Sequence, residues 1–181
     1  MLYIGEEIGS MVGVAGAPQI DIAVDPLEST NNCASNSPNS IAVLAAAPRG
    51  TLLHAPDCYM DKIAGGPELV GHISLDGGVA YNLEQTAAAL DKAVSDVRVV
   101  ALDRERHSQL FKEIRASGAQ LELMGDGDVS GAIWAARSDG PFDLLMGIGA
   151  APEGVISAAA IRGVGGVFQG RLVFRSDEEE A

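Results

Sequence analysis

The sequence predicts an α/β fold, with helices covering a sheet that is parallel in its second half. Three observations carry this. From about residue 82 onward, segments of helical and strand period alternate, the order that builds parallel sheets between helical layers. Hydrophobic residues make up 47% of the 181-residue chain and charged residues only 20%, so material for a core is ample. Aromatics are scarce at 4% while glycine is abundant at 22 residues, which suits closely packed helix-on-sheet layers.

The first half reads less regularly. Residues 9–19 are rich in Gly, Ala and Pro and predict a loop. Ile20, Ile22 and Val24 alternate as in a strand, which is expected to stop at Asp25 because Pro26 cannot continue a sheet ladder. Residues 31–40 are polar turn formers. Residues 41–47 and 51–55 predict two strands of a hairpin around Pro48-Arg49-Gly50. A short helical or irregular stretch is expected over 56–64, and a loop over 65–80.

In the second half, Leu83, Ala87, Leu90 and Val94 recur at helical spacing. Residues 97–102 read as a buried strand. Residues 104–117 form an amphipathic helix through Leu110, Phe111 and Ile114, ended by Gly118. Residues 121–124 are a strand, and Asp128 is placed to cap a helix over 129–137. Residues 142–146 are a strand. Gly147-Ile-Gly-Ala-Ala-Pro-Glu-Gly154 reads as a loop, and Pro152 suits the first turn of a helix over 153–162. Trp134 and the alanines near 87–89 and 158–160 read as core. Residues 176–181 predict a frayed acidic tail. The chain thus divides into lobes 1–80 and 81–181.

Composition narrows the function. A net charge of −13 disfavours nucleic acid, whose binding rests on cationic contacts to phosphate. No run of about 18 apolar residues marks a membrane span. The start lacks the basic and apolar regions of a signal peptide. Cys33 and Cys58 are too few for a disulfide scaffold or a cysteine zinc site and fit a reducing, cytoplasmic setting.

The candidate chemistry lies where strands end. A turn at Asp25 can aim Asp25, Glu28 and the Thr30 hydroxyl at one point. Hard divalent cations take several oxygen ligands, and a hydroxyl beside a bound metal can orient water. An Asx-type turn with Glu28 in solvent is the plainer reading of the same residues. Glu153 is a possible third carboxylate, and its place near a helix N-terminus is favourable whatever its job. Arg104 and Arg106 follow a strand at a helix start, where guanidinium forks suit phosphate, or solvent. Asp126-Gly127-Asp128 can bind metal or sugar hydroxyls, or serve as a turn with a capping Asp. The Gly147 to Gly154 segment is similar to a phosphate-cradling loop but lacks dinucleotide spacing and a Walker lysine. His107 reads as a surface or packing residue, and a Ser-His-Asp triad has little support.

Seven segments in order resemble the class II fructose-1,6-bisphosphatases, most closely the cyanobacterial type that also hydrolyses sedoheptulose-1,7-bisphosphate. They are Met1-Leu-Tyr-Ile-Gly-Glu-Glu, Asp25-Pro-Leu-Glu-Ser-Thr-Asn31, Ala55-Pro-Asp-Cys-Tyr-Met60, Arg106-His107, Asp126-Gly-Asp-Val-Ser130, Gly147 through Ala160, and Gln169-Gly-Arg-Leu172. The resemblance implies a layered α/β/α/β/α sugar-phosphatase fold, here partial: a metal- and phosphate-binding lobe over 1–80 and a sugar-binding lobe over 81–181. It implies hydrolysis of the 1-phosphate with Mn2+ or Mg2+, in gluconeogenesis or the Calvin cycle, by a cytoplasmic homo-oligomer. Asp25, Glu28 and Glu153 match metal ligands, and Thr30 with Glu28 matches the catalytic pair. Glu28, Ser29, Thr30, Tyr59, Arg104, Glu105, Arg106, Asp126, Gly127, Asp128 and Ala150 match substrate-contacting positions. Ser29 and Asn36 stand where the family carries glycine, a residue that takes positive φ without cost. The family has further metal-binding carboxylates upstream of the match to Met1 and extends beyond the match to Leu172. The chain therefore reads as truncated at both ends, which raises as an alternative a catalytically impaired chain that only binds sugar phosphate or associates.

Overall fold

The computed structural model describes residues 5–176 and Glu179. The first four residues of the opening motif and most of the acidic tail lie outside the described residues.

Twelve helices and strands are described. In chain order they are β1 (Ile20–Glu28), α1 (Thr30–Ala34), β2 (Ile41–Pro48), β3 (Tyr59–Gly65), α2 (Gly78–Ala89), β4 (Arg98–Leu102), α3 (Ser108–Ser117), β5 (Gln120–Met124), α4 (Asp128–Ala136), β6 (Leu144–Ala150), α5 (Ala151–Gly163) and β7 (Val167–Val173). Five strands form one sheet in the order β5-β4-β6-β3-β7, and β1 pairs with β2 in a second sheet. β4 runs parallel to β5 and β6, whereas β3 runs antiparallel to both β6 and β7.

Side-chain alternation gives the large sheet two apolar faces. One carries Ile63, Val97, Val99, Leu144 and Met146 against Leu83 and Ala87 of α2 and Ile114 of α3. The other carries Ala64, Val100 and Leu145 against Ala132, Ala135 and Ala136 of α4 and Ile161 of α5. The alanines let α4 and α5 pack close to the sheet. Helix α5 also packs against β1 and β2. The layers are therefore α2/α3, large sheet, α4/α5, small sheet. This is a mixed α/β architecture, as the fold class predicts, with four layers where the resemblance implies five.

Several expectations are corrected. The hairpin partner of the 41–48 strand is β1, not residues 51–55, because Ile20 through Asp25 offer a full register opposite Pro48 through Val43. β1 does not stop at Asp25: a bulge between Asp25 and Glu28 absorbs Pro26, and strand pairing resumes at Glu28 with Ile41. Residues 59–65 are the inner strand β3 rather than helical or irregular. The 65–80 stretch holds two short 3-10 turns and the start of α2. The sheet of the second half is mixed, because β3 and β7 join it antiparallel. Strand β6 continues through Ala150, so half of the expected glycine loop is strand. Gly127, not Asp128, is the N-cap of α4. Trp134 is 39% exposed and lies beside the Arg137 guanidinium rather than in the core. Gly118, in contrast, ends α3 in the left-handed conformation as predicted. Both cysteines are free, and no helix among the described residues is long and apolar enough to cross a membrane.

Candidate functional site

The bulge in β1 creates the centre of the site. Asp25 Oδ1 accepts a hydrogen bond from the Leu27 amide at 2.9 Å, so the Asx turn does form. It turns the chain without carrying Glu28 into solvent: Glu28 is only 6% exposed. Its Oε1 accepts from the Val129 amide at 3.2 Å, in the first turn of α4. Glu153 enters from the first turn of α5, directly after the end of β6. One carboxylate oxygen from each of Asp25, Glu28 and Glu153 lies within 4.8 Å of the others. An all-oxygen set of this size suits a hard divalent cation. Burial is the main cause that pushes the Glu28 carboxyl up to about 7, with the Asp128 and Asp25 charges adding to it and the Val129 amide opposing it. Burial likewise raises Glu153, with Asp128 and Asp25 again acting upward and Lys62 downward.

Ser29 and Thr30 lead from this corner into α1. Ser29 caps α1 with φ 66 and ψ 57, a left-handed conformation. It is 4% exposed and its Oγ is buried with no hydrogen-bond partner. It sits against Gly127, where any Cβ would collide with that Oγ. Asn36 is left-handed as well, at φ 54. Both departures from family glycine thus fall at positive φ. Thr30 opens α1 and is exposed.

The 126–128 turn borders the same corner. Asp126 Oδ2 accepts from the Asn31 amide at 3.3 Å, and Asp126 Oδ1 lies 3.6 Å from Arg104 Nη2. Arg104 Nη1 donates to the carbonyls of Asp103 and Gly125. Arg106 forks onto the Ile148 carbonyl through Nε (3.0 Å) and Nη2 (2.7 Å) and stacks 4.8 Å from the Tyr59 ring centre. Tyr59 pairs with Ala150 across β3 and β6, and Arg175 covers the same ring at 5.0 Å. The two arginines therefore tie the ends of β4, β5 and β6 together. Glu105 stands apart, its side chain exposed and its carbonyl accepting from Ser108 Oγ.

Lys62 escaped the sequence reading, and His107, read as a surface or packing residue, is a packing one: it is 2% exposed. Its Nε2 accepts the Ile148 amide proton at 2.7 Å, so Nδ1 carries the hydrogen and donates to the Leu102 carbonyl. Burial holds its pKa below the usual value, and it serves as a neutral strut. Lys62 is 2% exposed, and its Nζ donates to Asp128 Oδ2 at 2.6 Å. The signal was available. Within a strand, Met60, Lys62 and Ala64 share one face, and a buried lysine demands a partner.

The glycines of the 147–154 segment make room for these two residues. A Cβ on Gly147 would meet the His107 ring, one on Gly149 would collide with Asp128 and approach Lys62, and one on Gly154 would press on Met60 and Lys62. Gly147, Gly149 and Gly154 of the segment that is similar to a phosphate cradle thus act as sockets for side chains. Beyond Arg106, a cleft of about 240 Å³ opens between β3, α2 and α3, lined in part by Asp61, Asn82 and Glu113.

Fold and site together define an α/β chain whose strand ends and helix starts gather oxygen ligands beside arginines. Comparison with known proteins gives the family. A profile described as "Bacterial fructose-1,6-bisphosphatase, glpX-encoded" matches residues 1–181, and the chain belongs to that family. Relatives named "D-fructose 1,6-bisphosphatase class 2/sedoheptulose 1,7-bisphosphatase" include one from Synechococcus sp. (strain JA-3-3Ab), 48% identical over 189 aligned positions that take in all of this chain and 54% of the relative. Another, from Prochlorococcus marinus (strain MIT 9515), is 50% identical over 174 positions, covering 96% of this chain and 51% of the relative. The chain spans about half the length of the curated relatives it matches.

Proposed function

We propose that the chain carries the sugar-bisphosphatase chemistry of its relatives: metal-dependent hydrolysis of the 1-phosphate of fructose-1,6-bisphosphate, and of sedoheptulose-1,7-bisphosphate where the longer sugar fits. The convergence of Asp25, Glu28 and Glu153 within 4.8 Å carries the reading. These three would hold Mn2+ or Mg2+. Such a cation, when bound, polarises a phosphoryl oxygen and lowers the pKa of water. Thr30 Oγ1 orients the attacking water, with Glu28 beside it at the same strand end. Attack on phosphorus breaks the bond to the sugar oxygen and releases inorganic phosphate. Arg104 and Arg106 offset the charge on the sugar phosphates, and Glu28, Ser29 and Thr30 face the reacting one. Tyr59, Ala150, Asp126, Gly127 and Asp128 bound the sugar, with Glu105 at the rim.

Residues 1–80 would supply Asp25, Glu28, Thr30 and Tyr59 to this site, and residues 81–181 would supply Glu153, the two arginines and the 126–128 turn, so the metal, phosphate and sugar sides each draw on both lobes. β3 is shared between the two, since it runs inside the sheet of the second. The net charge of −13 supports a partner other than nucleic acid. The exposed Ile20, Ile22, Val24 and Leu44 of the small sheet support self-association, and the family supports a cytoplasmic setting in gluconeogenesis or the Calvin cycle. Phosphate release from fructose-1,6-bisphosphate, measured with and without Mn2+, tests the reading. Glu28→Gln should lower the metal-dependent rate by about 100-fold or more, and an unchanged rate removes Glu28 from the chemistry.

A second reading has its own observation. Ser29 holds a left-handed conformation and a buried, unpartnered hydroxyl where the family has glycine. In this reading the chain binds the sugar phosphate but turns it over little. Calorimetry with fructose-1,6-bisphosphate and Mn2+ separates the two, since binding without phosphate release favours the second.

A further inference from the structure

Asp128 is a fourth carboxylate beside the corner, and it is not grouped with the other three. Its neighbour Val129 donates to Glu28, and its charge acts on both Glu28 and Glu153. A hard cation commonly takes six or more oxygen ligands, so three carboxylates would recruit a fourth that was free to turn. Asp128 is not free. Lys62 Nζ holds its Oδ2 at 2.6 Å, with the Lys62 side chain 1% exposed and that of Asp128 10%. Among the described residues Lys62 is the only buried lysine or arginine. The socket fits both partners. Lys62 Cε would stand 3.2 Å from a Cβ on Gly154, and a Cβ on Gly149 would displace Asp128 Oδ2.

We propose that Lys62 is a positioning residue that withholds Asp128 from a cation at Asp25, Glu28 and Glu153 and keeps that carboxylate for the sugar. This rests on the metal corner proposed above. Lys62 also sets one positive charge against Asp128 and within range of Glu153, which weakens the pull of the corner on any cation.

Titration calorimetry with Mn2+ alone tests it. The unaltered chain should bind. Lys62→Met, which keeps the stem and loses the charge, should bind roughly tenfold tighter, because a repelling charge is gone and a ligand is released. A merely structural role predicts weaker binding instead. The double variant Lys62→Met/Asp128→Asn removes one charge of each sign and should return to the affinity of the unaltered chain. Gly149→Ala, whose Cβ would displace Asp128 Oδ2 and crowd Lys62 Nζ at 3.0 Å, breaks the pair without removing either charge and should tighten binding in the same direction as Lys62→Met. A folded Lys62→Met with unchanged or weaker Mn2+ affinity overturns the proposal. So does a double variant that binds tenfold weaker, since Asp128 would then be a ligand already. If Lys62→Met does not fold, Gly149→Ala and the double variant decide. An unaltered chain that binds no Mn2+ removes the metal corner itself, whereas binding with an unresponsive Lys62→Met removes only the lock.

Discussion

Ser29 concentrates local cost at the most sensitive point of the chain. An L-residue in the left-handed region costs roughly 1–2 kcal/mol, and a buried hydroxyl without a partner costs about 1–3 kcal/mol more. Glycine relieves both and gives back about 1 kcal/mol in unfolded-state entropy. Ser29→Gly should therefore raise stability by roughly 1–4 kcal/mol, or about 2–16 °C in melting temperature for a chain of this size. Ser29→Ala, which removes only the hydroxyl, should gain less. A melting temperature unmoved by Ser29→Gly rejects the strain. Glu28 gives the second prediction at this scale. Its carboxyl is raised from 4.5 to about 7, chiefly by burial, so the folded chain binds that proton more tightly than the unfolded chain. Without metal, stability should fall as pH rises from about 4.5 to about 7 and level off above. Glu153 is raised too and acts in the same direction. Thermal melts in chelator across this range should slope downward for the unaltered chain and less for Glu28→Gln. A rising or flat profile counts against the burial of the corner.

The elements show which local signals decide structure. Gly118, Pro152 and the Leu110, Phe111, Ile114 stripe are backbone and periodicity signals, and the helices they mark are present. β3 was not legible because a strand flanked by two others is buried over both faces, so Met60 through Ala64 lack alternation and carry Asp61 and Lys62 besides. Residues 51–55 resembled a strand but pair with none, since β2 takes β1 as its hairpin partner. β1 alternated as expected, yet its orientation is the reverse of the usual one. Ile20, Ile22 and Val24 face outward at 57%, 46% and 44% exposure, with Leu44 opposite at 63%, while Asp21, Ala23 and Asp25 face inward. Burying Asp25 toward α5 requires exposing the isoleucines, because the side-chain period is two. An exposed apolar face of this kind suits association, as proposed above. Ile22→Lys with Leu44→Lys should leave the unfolding midpoint within about 0.5 kcal/mol per site and shift size-exclusion elution toward smaller species. Loss of fold instead would mean that the face is covered within the chain.

At the scale of the molecule, the site joins elements that the sequence keeps far apart: the bulge of β1, the first turn of α4 and the first turn of α5. Strand-end carboxylates and helix-start arginines were legible as types, since parallel strands deliver them to one edge. Their supports were not, because Lys62, His107 and the socket glycines act only through contacts between distant segments. Helix α5 lies between the two sheets, with Glu153 in its first turn, so a cation at the corner would pin the small sheet to the large one. Binding to the folded state alone stabilises by about 2.7 kcal/mol at 100 times the dissociation constant, which corresponds to roughly 5–11 °C for a chain of this length. Mn2+ should raise the melting temperature by that order, and chelator should reverse it. Glu153→Gln should remove most of the shift while leaving the metal-free melting temperature the same or higher, since its carboxylate is desolvated against Asp128 and Asp25. Glu105→Gln, at an exposed carboxylate outside the corner, should keep the full shift. Equal Mn2+ shifts for the unaltered chain and Glu153→Gln would mean that the cation binds elsewhere on this acidic surface and that α5 plays no part in holding it.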